Sequence, residues 1–511
     1  MAKQSLLLLI LLVVAALLAL TEPVTAADRA VPQEFNRTNF PEGFVFGASS
    51  AAYQYEGAPK LRGKVIWDAF IRDFPYKIED RSNATVANGF YYLFRKDIQT
   101  MKMMGLDVFR FSISWARVLP YGKVSGGVNK IGVAFYNALI DQLLANGIKP
   151  FVTLHHFDTP QALEKKYESF LNDEIVIDYA DYAEFCFKTF GDRVKNWITF
   201  NEPNVFIPQG YDLGTLAPGR CSKWRNNNCT VGNSATEPYI VGYHLLLSHA
   251  EAVKRYKTKY QASQKGQIGI TLIAGGMYPQ SNKDKIAAKR VQDFMFGWFI
   301  HPVVYGDYPR IMKTLVRRRL PKFNSTQSES LKGSYDFIGL NYYSSYYVIN
   351  IPFSNKPAHL SYSSDYYGNL STEKNGVPIG PTEGTLFSVP KGFTDILVYV
   401  KKYYKNPKIY ITENGTGQLN NQTAAEGVKD PYRIRYYYQH LSALEKAIKE
   451  GVNVKGYMAW SFLDDFEWSS GYTVRYGLNY VDYGDGLKRY PKDSACWYKN
   501  FLLSSGKMLR C

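Results

Sequence analysis

The chain has 511 residues, 46% of them hydrophobic and 15% aromatic, with a formal net charge of +16 at pH 7. That apolar content is enough for a large core and excludes a disordered chain. The charge does not point to nucleic acid, because lysines and arginines are scattered among helical stretches, densest in "VRRRLPK" at 316–322, and no basic nucleic-acid motif occurs. A solvated basic face, with weak adsorption to cell-wall polyanions, accounts for it.

In chain order, residues 1–26 read as a secretory signal peptide: Lys3 gives a positive start, Leu6 to Leu20 is unbroken apolar, and Val24-Thr25-Ala26 offers a small-residue cleavage site. The run breaks at Thr21-Glu22-Pro23, short of the roughly 20 apolar residues of a membrane anchor. No membrane contact is expected after cleavage. Eight strand-like apolar runs follow: "FVFGASSAAYQ" from 44, "DVFRFSISW" from 107, "KPFVTLHHF" from 149, "NWITF" from 196, "QIGITLIAG" from 267, "YDFIGLNYYS" from 335, "KIYITENG" from 408 and "VKGYMAWSF" from 454. They are continuous more than alternating, the pattern of parallel strands covered on both faces. Between them lie helical patterns such as "FYNALIDQLLANG", with Leu139, Ile140, Leu143 and Leu144 on one face and Gly147 as a stop. Strand then helix, repeated, predicts an α/β fold, a (β/α)8 TIM barrel with long βα loops. Residues 27–511 read as one domain, since no linker divides them. The Tyr- and Ser-rich stretch from Ser354 to Glu383 reads as a long loop above the barrel.

Secretion fits the acceptor sites for N-glycosylation at Asn36, Asn83, Asn228, Asn324, Asn369 and Asn421. A further match at Asn414-Gly415-Thr416 lies in a candidate active-site motif and is expected to stay bare. Cys221 and Cys229 bracket a short polar loop that an oxidising compartment would staple. Cys186 falls on an apolar helical face with Tyr182 and Phe185 and reads as core; Cys496 and Cys511 carry no pairing signal. The ending "GKMLRC" is not a KDEL-type retention signal, so the expected destination is the apoplast or the vacuole.

In such a barrel, chemistry sits at the C-terminal ends of the strands. Glu202 ends the fourth run and Glu413 the seventh, each beside an asparagine and each followed closely by a residue that turns the chain, Pro203 and Gly415. Strands four and seven face each other across the barrel mouth. Paired carboxylates there are what glycoside hydrolysis requires, one protonated to assist departure and one ionised to attack the anomeric carbon. The His155-His156 pair does not read as a metal site, because neighbouring strand side chains face opposite ways and no third ligand is evident. No metal or cofactor is expected.

"TFNEPN" at 199–204 and "ITENG" at 411–415 resemble the two signatures of family 1 glycoside hydrolases, the retaining β-glucosidases, and the resemblance runs from about Phe40 to Leu502. "LAPGRCS" at 216–222 and "YPKDSACWYKNFL" near the end resemble plant members in particular. The resemblance implies Glu202 as general acid/base and Glu413 as nucleophile, a covalent glucosyl-enzyme, and carboxyl groups about 5–5.5 Å apart. It further implies that Gln54, His156, Asn201 and Glu467 hydrogen-bond the sugar. Trp460 and Trp468 would lie against its apolar face. Arg110 and Tyr343 would hold the nucleophile with Asn341 beside them, and a cation and a phenol there favour the ionised acid.

The chain departs from the family pattern in four places: Phe157 stands for a usual Trp, Tyr476 for a usual Phe, "TVANGFYY" at 85–92 for a usual acidic pattern, and Thr385 for the Trp that lines the aglycone slot. Phe206, Phe387 and Phe466 are further candidates for that slot. The expected activity is hydrolysis of O-β-D-glucosides of small plant molecules. The alternatives are a thioglucosidase of the myrosinase kind, a transglucosidase using the same nucleophile, and a non-catalytic sugar-binding relative. Retention of Glu202 speaks against the first, since a thiolate needs little protonation to leave, and retention of both acids against the last.

Overall fold

The computed structural model describes residues 35–226, 228–354 and 359–503. The expected leader, residues 1–26, and Cys511 lie outside them. Eight strands, β1 (Val45–Ser49), β2 (Val108–Ser112), β3 (Lys149–His155), β4 (Asn196–Asn201), β5 (Gln267–Ile273), β6 (Phe337–Tyr342), β7 (Ile409–Asn414) and β8 (Val454–Ala459), pair in sequential order. All pairings are parallel, and β8 returns to β1 to close a barrel. Closure leaves no edge strand and gathers the βα loops at one mouth.

The lower barrel is plugged by Val108, Phe151, Ile198, Phe337 and Met458, with Val45 and Tyr410 packed against them. Moving two residues along β2 and β3 keeps the same inward face, and there Val108 gives way to Arg110 and Phe151 to Thr153. The interior therefore changes from apolar to polar toward the mouth.

Two bulges aim the key side chains. The β4–β5 register shifts between Ile198 and Asn201, and the β6–β7 register between Ile411 and Glu413. On β4 the shift turns Thr199 and Phe200 outward, onto His249 and Tyr179 of the surrounding helices, and returns Asn201 to the barrel axis. On β7 it lets the consecutive residues Thr412 and Glu413 both face inward. Bulges re-aim side chains in this way at barrel rims.

Residues 359–383 of the Tyr- and Ser-rich stretch are more ordered than its composition predicts. It contains a helical turn, Tyr362–Asp365, and the strand Gly368–Ser371, which pairs with Tyr346–Asn350. It also holds the hairpin Glu373–Lys374 with Val377–Pro378, whose two turn residues Asn375 and Gly376 have φ of +52° and +75°. Asn-Gly is the strongest short-range hairpin signal. In the helix Lys130–Ala145, Leu139, Ile140 and Leu143 are buried, whereas Leu144 is 38% exposed, so the apolar face is narrower than the pattern implied.

Cys221 and Cys229 are bonded, with Cα atoms 5.5 Å apart, and Cys186 is a buried free thiol whose ionisation burial disfavours. The bond closes a short loop, so Cys221→Ala with Cys229→Ala should cost about 2.5 kcal/mol, mainly by freeing the unfolded chain. Equilibrium denaturation checks this.

Candidate active site

Glu202 directly follows β4 with φ of +41°, a left-handed backbone that few non-glycine residues adopt, and Pro203 then opens a short helix, Pro203–Ile207. The turn carries the carboxyl over the barrel mouth, where it is 7% exposed. Glu413 lies inside β7 and is 4% exposed. Gly415 is required next to it, because a Cβ there would collide with the Trp460 carbonyl.

One hydrogen-bond network holds both acids, and it treats them differently. Arg110, wholly buried, donates from Nη1 to Glu413 Oε1 at 2.5 Å, from Nη2 to Asn201 Oδ1 at 2.7 Å and from Nε to Thr153 Oγ1 at 3.2 Å. The Tyr343 hydroxyl donates to Glu413 Oε2 at 2.7 Å. Both Glu413 oxygens therefore meet donors, one of them cationic, as suits a carboxylate. Among the described residues, no cation pairs with Glu202; its Oε1 accepts from Asn341 Nδ2 at 2.7 Å. Burial first, and the Glu413 charge second, push the Glu202 carboxyl up to about 8. Asn341 is itself fixed by the Thr412 hydroxyl, which donates to its Oδ1 at 2.6 Å.

The expected sugar-contacting residues gather around the same mouth. Asn201 Oδ1 accepts from Arg110 and Asn341, which leaves its Nδ2 to donate to His156 Nε2 at 3.1 Å. His156 is thus the tautomer with its proton on Nδ1, and burial, followed by Arg110 and His155, keeps it neutral. His155 points away to Thr159, at 2.8 Å, so the two imidazoles do not converge. Gln54 donates from Nε2 to Asp465 Oδ1 at 3.0 Å and to Phe466 O at 3.1 Å, with Glu467 Oε2 at 3.4 Å. Among the described residues, Gln54 Oε1 and His156 Nδ1 are buried without a protein partner, an acceptor and a donor left for hydroxyls. The Trp460 and Trp468 rings each lie 6.0 Å from His156 and within 21° of parallel, forming an aromatic wall. Trp468 is also braced by Tyr53, Trp67 and Phe157.

Three residues of this site carried no role in the sequence reading: Thr153, Thr412 and Asp465. The threonines brace Arg110 and Asn341 from β3 and β7, a function that their placement on inward strand positions could have signalled. Of the aromatic slot candidates, Phe206 and Phe466 are buried and offer a ligand no surface, whereas Phe387 is half-buried beside Thr385. Thr385 and Tyr476 both approach Gly417, and the Tyr476 ring sits edge-on to Tyr343, 6.2 Å away. The two departures are therefore neighbours on the wall that carries the Glu413 partner. Asn414 is wholly buried, donating to Tyr342 O at 2.7 Å and to the Tyr436 hydroxyl at 3.1 Å, which denies its amide to a glycan.

A barrel whose mouth holds one carboxyl kept protonated and one ion-paired carboxylate, with aromatic rings and free hydroxyl partners around them, defines a glycoside hydrolase of the two-carboxylate kind. Residues 36–507 match Glycosyl hydrolase family 1, and the chain belongs to that family. Its relatives include a β-glucosidase from Oryza sativa subsp. indica, 55% identical over 476 residues, covering 92% of this chain and 93% of that one. Another, from Arabidopsis thaliana, is 53% identical over 477 residues and covers 92% of each. A crystal structure of a rice β-glucosidase superposes with a TM-score of 0.89 at 48% identity, over 91% of this chain and 99% of that one.

Proposed function

We propose that the protein is a retaining β-glucosidase that hydrolyses O-β-D-glucosides of small plant molecules through a covalent glucosyl-enzyme. The observation that carries this is the unequal treatment of the two acids: Arg110 and Tyr343 pair Glu413, while Glu202 is buried with only an amide on it. Glu413 attacks the anomeric carbon while Glu202 gives its proton to the departing oxygen. Glu202, now ionised, takes a proton from water as that water displaces the sugar from Glu413. Gln54, His156, Asn201 and Glu467 hold the glucose hydroxyls, Trp460 and Trp468 its apolar face, and Arg110, Tyr343 and Asn341 keep the acids in place. The half-buried Thr385, Phe387 and Tyr476 face the aglycone, whose slot is more polar than an indole there would make it.

The same reading includes passage through the secretory pathway, with the leader at 1–26 removed and a final place in the apoplast or vacuole. Exposure of the acceptor asparagines Asn83, Asn228, Asn324, Asn369 and Asn421 supports their glycosylation; Asn36 is half-buried, and its Oδ1 caps the turn that follows.

The test is exposure of the intact protein to a 2-deoxy-2-fluoro-β-glucoside with an activated leaving group, followed by intact mass and peptide mapping. The expected result is one added fluorosugar on the peptide carrying Glu413. A folded protein that gains no label, or gains it elsewhere, overturns the assignment. Adding an acceptor alcohol in a separate turnover assay distinguishes hydrolysis, with free glucose as product, from transglucosylation.

A further inference from the structure

The Asp465 carboxyl, 2% exposed, takes no part in the two-acid chemistry, yet it lies against the sugar site. Its Oδ1 accepts from Gln54 Nε2 at 3.0 Å and its Oδ2 from Ser461 Oγ at 3.0 Å. The same Gln54 nitrogen is 3.4 Å from Glu467 Oε2, so the Asp465 and Glu467 carboxyls converge on one amide and lie within reach of each other. Two carboxyl groups so placed hydrogen-bond each other only when one of them is protonated.

Among the described residues, no cation pairs with either carboxyl to replace that proton. The helix Ala52–Tyr55 presents Gln54 and the Tyr55 phenol, the segment after Trp468 presents the phenols of Tyr472, Tyr476 and Tyr483, and the strand ends present Glu413 and Glu202. The nearby cations are engaged elsewhere. Arg475 and Lys492 pair with Asp464 at 2.7 and 2.8 Å, Arg433 pairs with Asp430, and Arg110 with Glu413. Burial accordingly pushes Asp465 up to about 8 and raises Glu467, the neighbouring acid adding to the effect on Glu467.

We propose that Asp465 is a positioning residue of the sugar site: it shares one proton with Glu467, and that proton holds Glu467 and Gln54 in the arrangement that binds the glycone. This rests on the reading of Glu467 as a sugar-contacting group. Loss of the proton at alkaline pH leaves two adjacent buried anions that repel, so glycone affinity falls by a route separate from the ionisation of Glu202.

The experiment measures inhibition by glucose as a competitive inhibitor, from about pH 5 to pH 9, in the wild type and in Asp465→Asn. In the wild type the inhibition constant should rise about tenfold or more across the alkaline half of that range, as a single proton loss predicts. In Asp465→Asn, where an amide donor permanently replaces the shared proton, it should stay within about threefold, while the alkaline fall of kcat remains. Glu467→Gln also breaks the acid pair; it should bind glucose more weakly at every pH and show the same flat profile, and it decides the matter if Asp465→Asn does not fold. A wild-type constant that does not change with pH, or variants that follow the wild-type rise, overturn the proposal. Fluorosugar labelling of Glu413 in the same preparation separates that outcome from a failure of the glucosidase reading.

Discussion

Glu413→Gln is expected to lower kcat on aryl β-glucosides by on the order of 10^5 while leaving the fold intact. The glutamine oxygen still accepts from Arg110 Nη1, so the Arg110–Asn201–Asn341 network survives and the loss reports chemistry and not collapse. Glu413→Gly makes the complementary test. It strips a buried guanidinium of its counter-charge, for which about 3–5 kcal/mol of lost stability is expected, but opens space for a small anion. Azide should then restore turnover by attacking from the face the carboxylate occupied, giving the α-glucosyl azide. Near-normal activity in the glutamine variant, or a β-product from rescue of the glycine variant, would remove Glu413 from the nucleophile's role.

Glu202→Gln should behave in a way that depends on the leaving group. For alkyl glucosides, whose oxygen needs a proton to depart, kcat/KM should fall by about 10^2–10^4; for dinitrophenyl glucosides the first step should be barely affected and the glucosyl-enzyme should accumulate. As the proposed donor, Glu202 acts while it is protonated, and its carboxyl is pushed up to about 8. Wild-type kcat on alkyl glucosides should therefore decline as pH rises through that value, and the variant should lose this limb. An unchanged alkaline limb in Glu202→Gln would assign it to another group. Asn341 Nδ2 keeps an acceptor in the glutamine, so the packing there is preserved.

The barrel and both acids were legible in the sequence because each rests on a local signal: continuous apolar runs for the strands, and an acid at a run's end beside a residue that turns the chain. Arg110, Gln54 and Tyr343 drew their roles from family resemblance, since partners such as Tyr343 and Glu413 lie 70 residues apart. The bulges in β4 and β7 left no mark, because an inserted residue is visible only against its neighbouring strand. Asp465 was hidden for a related reason. In "LDDFEW" three acids stand within four residues, and only the fold spends Asp464 on Arg475 and Lys492 while leaving Asp465 against Glu467. The hairpin at Asn375-Gly376 is a different case, since its signal was present in a stretch read by composition alone.

The left-handed turn at Glu202 sets a limit on how this enzyme can be hardened by laboratory evolution. A β-carbon at φ of +41° is strained, so the backbone there favours glycine or asparagine. The buried carboxyl adds to this: its folded value near 8 lies above its ordinary 4.5, so the stability it confers while protonated is lost as pH rises through about 8. A library screened only for survival at high temperature and mildly alkaline pH would therefore enrich replacements at the position proposed to protonate the leaving group. Thermostable clones from such a screen need to be sorted by turnover of an unactivated glucoside before any is kept.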